Sequence, residues 1–216
     1  MRLTGTSWGA VAETLVATSR LRVDDGRVVE IDVRRWMAEA DEVDQALLDR
    51  AVGPVLDVGC GPGRLVRELR DRGIDALGVE ISPTAVALAR GWGAPVLQRS
   101  VFDHLPRHGR WRSALLLDGS VGIGGDPIAL LARVGELLSP DGRLLVEMET
   151  RGVASESLKV RIETSGGAGP WFSWSVVSID DAARLAAATG FRVEESWAAG
   201  GRCFARFDRS TRHGRT

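Results

Sequence analysis

The sequence predicts an α/β protein with a doubly wound, mostly parallel sheet, and two observations lead to that prediction. From Val55 onward, short apolar runs typical of strands alternate with amphipathic stretches typical of helices. The first of these runs, Val55–Val58, passes directly into a glycine turn and then a helix, as in ligand-binding parallel sheets. A chain of 216 residues holds one well-packed core, so we expect a single domain.

The core elements follow from hydrophobic periodicity and from helix capping signals. Ser82-Pro83 and Asp126-Pro127 supply an N-cap and a first-turn proline for two helices, and Ser139–Gly142 predicts a tight turn. We expect strands near 55–58, 76–80, 95–98, 113–118 and 142–148. We expect helices near 63–72, 83–91, 127–138 and 180–189.

Other segments surround this core. Asp24-Asp25-Gly26 predicts a β-hairpin across 20–32, and apolar spacing predicts a helix over 33–51. Two further strands near 158–164 and 172–178, and an antiparallel pair at 191–197 and 202–207, are expected. The chain then divides into an extension (1–52), a core (53–150), an insertion (151–178), a closing helix with strands (179–208) and a basic tail expected to be disordered (209–216).

The glycine turn differs from the loop of dinucleotide-binding proteins. Gly59, Gly61 and Gly63 follow the spacing G-x-G-x-G, in which the third glycine comes one position too early for the pyrophosphate fingerprint. Asp57, at the start of the loop, would repel a phosphate and suits a ligand with a cationic group. Glu80 ends the next apolar run 23 residues later, where a carboxylate can accept hydrogen bonds from both hydroxyls of an unphosphorylated ribose.

These motifs resemble the cofactor half of class I S-adenosylmethionine-dependent methyltransferases, Rossmann-like enzymes, of the small bacterial type. The stretch that carries the resemblance is VLDVGCGPGRLVRELRDRGIDALGVEISPTAVALAR, followed by SVFDHLP, LLLDGSVGIGGDP and LLSPDGRLLVEME. It covers roughly residues 50–150 and extends more loosely to Phe207. The resemblance implies a seven-stranded sheet that ends in an antiparallel strand pair, and S-adenosyl-L-methionine as the cofactor.

The same resemblance assigns cofactor contacts to four strand ends. The glycine loop is expected to hold the methionine portion, Glu80 the ribose, and Ile81 the adenine. In this chain Ser100 stands where many relatives have an acid, so the resemblance does not say which side chain meets the adenine amine. Three roles are open for Asp103: an adenine contact, a helix cap or a solvated loop residue. The full expected set is Asp57, Gly59, Cys60, Gly61, Gly63, Glu80, Ile81, Ser100, Val101, Phe102, Asp118 and Gly119, with Cys60 expected to pack and not to react.

The segment Asp118–Asp126 is rich in glycine, and the resemblance implies that it lies beside the transferred methyl group. It contains no lysine or arginine, which disfavours a phosphate cradle, and we expect a mobile wall beside the methyl. It lacks the Asp/Asn-Pro-Pro-aromatic signature common in nucleobase and amide N-methylation, and the Pro-Cys nucleophile of cytosine C5 methylation.

Candidates for a general base are few, and some methyl acceptors need none. Asp118, His104 and Glu149 are the candidates, although a surface position is expected for each histidine. On the acceptor side, Trp171 in the insertion is expected to line a substrate pocket or a dimer contact, while Phe172 and Trp174 pack on the sheet. Trp36, in the helix before the core, is a second acceptor candidate.

Composition narrows the function further. The 28 basic and 29 acidic residues nearly cancel, which disfavours nucleic acid as a partner, and Arg64, Arg67, Arg70 and Arg72 are expected on a solvated helix face. The chain shows no apolar run of membrane-spanning length, no signal segment and only two cysteines, so we expect a cytoplasmic monomer or homodimer without a metal. The expected activity is O-, N- or C-methylation of a small molecule. The alternatives are RNA or protein methylation, and cofactor binding without methyl transfer.

Overall fold

The computed structural model describes residues 20–30, 33–164 and 167–210. The strands in these residues are β1 (Arg20–Val23), β2 (Val28–Glu30), β3 (Val55–Val58), β4 (Ala76–Glu80), β5 (Val96–Gln98), β6 (Trp111–Leu116), β7 (Leu138–Met148), β8 (Glu156–Thr164), β9 (Gly167–Ala168), β10 (Phe172–Val176), β11 (Phe191–Ala199) and β12 (Arg202–Arg209). The helices are α1 (Val33–Met37), α2 (Glu42–Leu48), α3 (Arg64–Asp71), α4 (Pro83–Gly91), α5 (Pro127–Leu137) and α6 (Ala182–Ala188), with 3₁₀ turns at Ser120–Gly125 and Ile179–Asp181.

Seven strands form the main sheet, in the order β11-β12-β7-β6-β3-β4-β5. The five strands from β5 to β7 are parallel, whereas β12 runs antiparallel to both β7 and β11. The predicted fold class is therefore confirmed. The chain leaves β3 toward β5 and then returns to β6 on the other side of β3, and such a reversal creates a ligand crevice at the carboxyl ends of the strands.

Helices cover both faces of this sheet, which explains why β3 is buried along its whole length. On one face, β3 packs through Leu56 in a cluster that includes Leu130 of α5 and Leu185 of α6. On the other face, Val55 belongs to a second cluster, with Leu65 of α3 and Val86 of α4. The carboxyl ends of the strands are thereby held on a rigid scaffold.

Local sequence signals fixed several helix boundaries correctly. The α4 helix spans Pro83–Gly91 as expected, and the Ser82 hydroxyl accepts a hydrogen bond from the Ala85 amide. The α5 helix begins at Pro127, where the Asp126 carboxylate accepts from the Ala129 amide at 3.0 Å. Both helices start where a polar side chain satisfies an otherwise unpaired backbone donor.

Three local expectations were wrong. The helix predicted over 33–51 is divided into α1 and α2, because the Asp41 carboxylate caps α2 and accepts from the Asp44 amide at 2.8 Å. The turn predicted at 139–142 is part of β7, where the register passes from Trp111↔Leu138 to Ser113↔Arg143 and these residues bulge from the ladder. Arg209, assigned to the tail, is the last residue of β12, while 211–216 lie outside the described residues.

The N-terminal hairpin and the insertion form one antiparallel sheet. The predicted hairpin, β1 and β2, pairs through β1 with β8, and β8 also pairs with β9 and β10. This small sheet is joined to the main sheet by hydrogen bonds from the Glu149 amide to Val177 and from the Ile179 amide to Glu149. It therefore lies beside the carboxyl end of β7. Within the described ranges, we find no helix that combines the length and apolarity needed to cross a membrane.

Candidate active site

The topology brings the four predicted strand ends to one edge of the main sheet. The strands β5, β4, β3 and β6 are parallel neighbours, so the segments that follow them emerge side by side. A direct contact joins two of these segments, because the Gly61 amide donates to Oε2 of Glu80 at 3.1 Å. The structure thus groups the expected cofactor residues in space.

The Glu80 carboxylate is held by backbone groups. Besides the contact from Gly61, its Oε1 accepts from the amides of Ile81 and Ser82, each at 2.8 Å. An ionised carboxylate offers about four acceptor positions, so these three donors leave capacity for another. Glu80 is partly exposed, and it is therefore fixed in place and able to accept from a ligand.

Two glycines of the loop serve different purposes. Gly61 has φ +53°, and a Cβ added there would meet nothing within 4 Å, so the loop faces open space at this residue. Gly63 has φ +81°, and an added Cβ would lie 2.8 Å from the Cβ of Ala94, so this glycine allows close packing. The spacing G-x-G-x-G therefore combines one position open to a ligand with one that packs the loop on the core.

Two apolar side chains are exposed at the same edge. Ile81 is 69% exposed and Phe102 is 46% exposed, although both follow strands of the core. Val101 instead packs in the main hydrophobic cluster. Asp103 accepts from the Ser100 amide at 3.1 Å, which shows a local loop contact for this residue.

Burial changes the ionisation of the residues under the loop. Asp57 is buried, and this burial raises its pKa to about 7, assisted by the negative charges of Asp118 and Glu80 and opposed by Arg64. Burial also raises the pKa of the Cys60 thiol. Cys60 therefore stays a neutral thiol, as suits a packing residue.

Six charged residues form an arginine–carboxylate network beside the loop. It consists of Arg35, Asp44, Arg64, Asp118, Glu147 and Arg202, which come from six separate segments of the chain. Arg64 pairs with Asp44 and, at 2.7 Å, with Asp118. Arg202 pairs with Asp44 at 2.8 Å and with Glu147 at 2.6 Å. The network thereby ties α1 and α2 to the strand ends.

The network corrects one expectation from the sequence. Arg64 was expected on a solvated helix face, but it is buried at the start of α3. Asp44, at the centre of the network, is 1% exposed. Burial alone would raise the pKa of Asp44, but hydrogen bonds from Arg64 and Arg202 outweigh it and lower that pKa to about 2. The only sequence signal for Arg64 was its place directly after the glycine loop.

The three candidate bases lie in different surroundings. Both oxygens of Asp118 accept from arginines, Oδ1 from Arg35 at 3.0 Å and Oδ2 from Arg64 at 2.7 Å. His104 is exposed on the loop after β5. Glu149 is exposed at the end of β7, and no ion pair to its carboxylate is present among the described residues. Both oxygens of Asp118 are therefore occupied by arginines, and the catalytic roles of all three candidates stay predictions.

A cavity of about 220 Å³ lies between the two sheets. Its walls come from the end of β7 (147–150), from β10 and the residue after it (174–177), from Gly119 and Val121, and from the β11–β12 turn at Gly201 and Arg202. Asp118 adjoins it through the hydrogen bond from its amide to Glu147 at 2.8 Å. This cavity is next to the strand end that follows β6.

The aromatic residue in this cavity is Trp174. Trp171 is 45% exposed, and the guanidinium of Arg161 lies 4.7 Å from its ring. Trp36 lies partly buried in α1. The acceptor roles of Trp171 and Trp36 stay predictions. The structure places Trp174, which the sequence analysis had assigned to packing, in the lining of the cavity.

The glycine-rich segment after Asp118 is not a free loop. It forms a 3₁₀ turn against β10, where a Cβ added at Gly122 would lie 2.7 Å from Nε1 of Trp174 and one at Gly125 would lie 2.7 Å from the Cβ of Ser173. These glycines permit close packing of the small sheet, and the expected mobility of this wall stays a prediction. Ser120 in this turn has a buried hydroxyl with no hydrogen-bond partner among the described residues.

Comparisons with known proteins identify the family. A family model described as a methyltransferase domain matches residues 32–196. Among solved structures, an S-adenosylmethionine-dependent methyltransferase from Bacteroides fragilis, in complex with S-adenosyl-L-homocysteine, is 22% identical, with 94% of each chain covered and a TM-score of 0.77. No curated protein matches this chain.

Two other solved structures show the same fold at lower similarity. The sugar N-methyltransferase KedS8 from Streptoalloteichus sp. ATCC 53650 is 21% identical over 81% of this chain and 87% of its own, with a TM-score of 0.58. The 1,6-didemethyltoxoflavin-N1-methyltransferase from Burkholderia thailandensis is 21% identical over 72% of this chain and 70% of its own, with a TM-score of 0.53.

The fold is the one found in S-adenosylmethionine-dependent methyltransferases of known structure. The chain belongs to the methyltransferase-domain family, so the membership predicted from the sequence is confirmed. The site fits S-adenosyl-L-methionine, because Gly61 faces open space, Ile81 and Phe102 expose apolar surface, and the buried Ser120 hydroxyl beside Gly59 lacks a partner among the described residues. In the described part of the chain, no group of His, Cys, Asp or Glu side chains is arranged to hold a metal.

Proposed function

We propose that this protein transfers the methyl group of S-adenosyl-L-methionine to a small-molecule acceptor bound in the cavity between the two sheets. The observation that supports the proposal best is this cavity of about 220 Å³, which adjoins the strand end after β6 through Gly119. The cofactor, when bound, supplies an electrophilic methyl group on a sulfonium. The chief task of the protein is then to hold the acceptor in line, since orientation alone contributes up to about 7–11 kcal/mol in well-aligned reactions.

Each cofactor residue has a proposed task. Glu80 accepts from the ribose hydroxyls, and Ile81 and Phe102 give the adenine apolar contacts. The loop Gly59–Gly63 receives the methionine portion, and the ionised Asp57 attracts its cationic amine. Ser120 offers its hydroxyl as a hydrogen-bonding group beside the loop. Among the remaining predicted residues, Ser100, Asp118 and Gly119 border the same site.

A small acceptor is favoured over a macromolecule. The small sheet covers the cavity on one side, and the cavity volume of about 220 Å³ suits a compact group. The near-neutral charge of the chain provides no general attraction for nucleic acid. Two proteins of the same fold are named for a sugar and for 1,6-didemethyltoxoflavin as acceptors. RNA or protein methylation, and cofactor binding without transfer, are the competing functions. A cytoplasmic location, a single domain and a monomeric or homodimeric state stay predictions.

Binding of the demethylated cofactor tests the cofactor assignment. Replacing Glu80 by Ala removes a charged acceptor, which costs about 1.5–3 kcal/mol, or roughly 10- to 150-fold in affinity for S-adenosylhomocysteine. Titration calorimetry measures this affinity for the wild type and for Glu80→Ala. Glu136→Ala is the control, because Glu136 is an exposed carboxylate on α5. Equal affinities in all three would refute the ribose assignment.

Methyl transfer itself is tested with a labelled methyl donor. We expect label from methyl-labelled cofactor to enter an extract of cell metabolites, and not purified RNA or protein from the same cells. Label in the RNA or protein fraction alone would favour the competing methylation function, and binding of S-adenosylhomocysteine without any label would favour a protein that binds the cofactor only.

A further inference from the structure

We propose that the acceptor carries an amine, which binds in the cavity between the carboxylate of Glu149 and the indole of Trp174. The inference rests on the proposed function, and it names the chemical class of the acceptor that the function leaves open. Three observations carry it: the charges that line the cavity, its aromatic wall, and the pairing of the carboxylates nearby.

The charged groups of the cavity leave one net negative charge. Glu147, Glu149 and Arg202 are the charged residues in its lining. Arg202 binds Glu147 through two hydrogen bonds, at 2.7 and 2.6 Å, so these two charges neutralise each other. Glu149 forms no ion pair with any described residue. A cationic acceptor would therefore supply the counter-charge that the protein itself does not.

The wall opposite β7 suits the same group. Trp174 lines the cavity together with Val176 and Val177, and Phe172 meets its ring edge-on at a centroid distance of 6.1 Å. The face of an indole attracts ammonium groups, and valine side chains make apolar contacts with hydrocarbon groups. The cavity volume, about 220 Å³, is below the roughly 300–1,000 Å³ of sites for drug-sized ligands. We infer that the amine and its nearest carbons enter, while any remainder of the acceptor stays outside.

The chemistry of the nearby groups also favours nitrogen. The bound ammonium first releases one proton to water, and the neutral amine then attacks with its lone pair. The N–C bond forms, the C–S bond breaks with its electron pair left on sulphur, and the methylated nitrogen gives up its extra proton to water. An alcohol must also lose its proton to a base as it attacks. The carboxylates of Asp118 and Glu147 are both paired with arginines, and the cavity lining contains no histidine among the described residues. Glu149 therefore binds the amine, and the reaction requires no general base from the carboxylates that are paired with arginines.

Selective acetylation of acceptors tests the inference. Half of a metabolite extract is treated with N-hydroxysuccinimidyl acetate and then with hydroxylamine, which leaves amines acetylated and hydroxyl groups free. The protein and methyl-labelled S-adenosyl-L-methionine are added to both halves. We expect nearly all of the label to be lost in the acetylated half, and the product from the untreated half to bind a cation-exchange resin at about pH 5, because methylated amines stay cationic there.

Variants connect that result to Glu149. At limiting acceptor, Glu149→Gln should lower the initial rate at least about fivefold, with calorimetric affinity for S-adenosylhomocysteine unchanged. The matched control is Glu136→Gln, on an exposed helix face, which should leave both unchanged. Label that survives acetylation, or a Glu149→Gln rate equal to that of the control, would overturn the amine assignment and leave methyl transfer standing. Binding of S-adenosylhomocysteine with no label in either half would contradict the proposed function as well.

Discussion

The cofactor edge and the acceptor cavity are built in different ways. The cofactor edge comes from consecutive units of the chain, with Asp57–Gly63 and Glu80 in neighbouring parallel strands, and it uses backbone amides as much as side chains. The acceptor cavity takes its walls from β7, β10 and the β11–β12 turn, and β10 is supported by β8 and the N-terminal β1. One half is local in sequence and the other depends on long-range pairing.

The difference separates cofactor binding, which depends mainly on backbone groups, from acceptor recognition, which depends mainly on side chains. Backbone groups in a tight loop recognise a ligand with little dependence on side chains, so the cofactor edge tolerates variation elsewhere. The cavity is lined on one side by β10, whose partner β8 pairs in turn with β1, more than a hundred residues earlier in the chain. The arginine–carboxylate network touches both halves, because Arg64 begins α3 after the glycine loop and Arg202 lines the cavity.

The largest effect is expected where the two halves meet. Asp44→Asn removes the carboxylate that holds Arg64 and Arg202, and breaking a buried ion pair in this way costs about 3–5 kcal/mol. Asp49→Asn is the matched control, since its pair with Arg72 is exposed and is worth less than about 1 kcal/mol. Urea denaturation measures both, and similar losses for the two variants would show that the network adds little stability.

The stability that Asp44 contributes to the network should be lost at low pH. The pKa of Asp44 is lowered to about 2, below its ordinary value of 3.8. A lowered pKa stabilises the folded state above the ordinary value, and this stability is lost as the pH falls from about 4 toward about 2. Wild-type protein should therefore lose more stability over this range than Asp44→Asn does.

Gly61→Val should weaken cofactor binding without changing the acceptor cavity. The new side chain would enter the open space where we place the cofactor, and affinity for S-adenosylhomocysteine should fall at least about 100-fold. Gly73→Val is the control, because Gly73 has φ +75° with equally open surroundings after α3. Both variants should lose about 1–2 kcal/mol of stability from the left-handed backbone, measured by thermal unfolding. Wild-type cofactor affinity in a folded Gly61→Val variant would contradict the loop assignment.

Binding of the cofactor should depend on the ionisation of Asp57. With a pKa raised to about 7, Asp57 attracts a cationic amine only above that pH. Affinity for S-adenosylhomocysteine should fall about tenfold from about pH 8 to about pH 6, as the ionised fraction drops from about nine tenths to about one tenth. Calorimetry at both pH values measures this, and Asp57→Asn should show no such dependence. An equally steep dependence in Asp57→Asn would assign it to another group.

The same raised pKa affects the protein without ligand. Because the folded state holds a proton on Asp57 that the unfolded state releases above about pH 4, stability should decline as the pH rises from about 4 to about 7 and then level off. Asp57→Asn should remove this contribution.

The smallest effects separate the two tryptophans on the acceptor side. Trp174→Ala removes the aromatic wall of the cavity, and the acceptor KM should rise about 3- to 30-fold, which corresponds to about 0.5–2 kcal/mol. Trp171 stacks with Arg161 at the surface, so Trp171→Ala should change the acceptor KM by less than about threefold. Steady-state rates of methyl transfer measure both. The opposite order would support the acceptor role that the sequence analysis predicted for Trp171.

The sequence by itself determined the core fold, the glycine loop and the carboxylate of Glu80. These features depend on residues close together in the chain, where spacing, capping and glycine geometry act locally; the ends of α4 and α5 were predicted for the same reason. It also indicated the N-terminal hairpin, through the turn at Asp24-Asp25-Gly26.

Only the tertiary structure decided how the acceptor side is assembled. Helical spacing placed Arg64 with three solvated arginines, yet partners from α2 and from the end of β6 make its burial favourable. The alternation of Trp171, Phe172 and Trp174 led us to expect that Phe172 and Trp174 pack on the sheet, but it did not show that Trp174 lines a cavity between the two sheets. The position of Trp174 depends on the pairing of β10 with β8 and on the packing of β10 against Gly122 and Gly125. No local pattern specifies these contacts between separate segments of the chain.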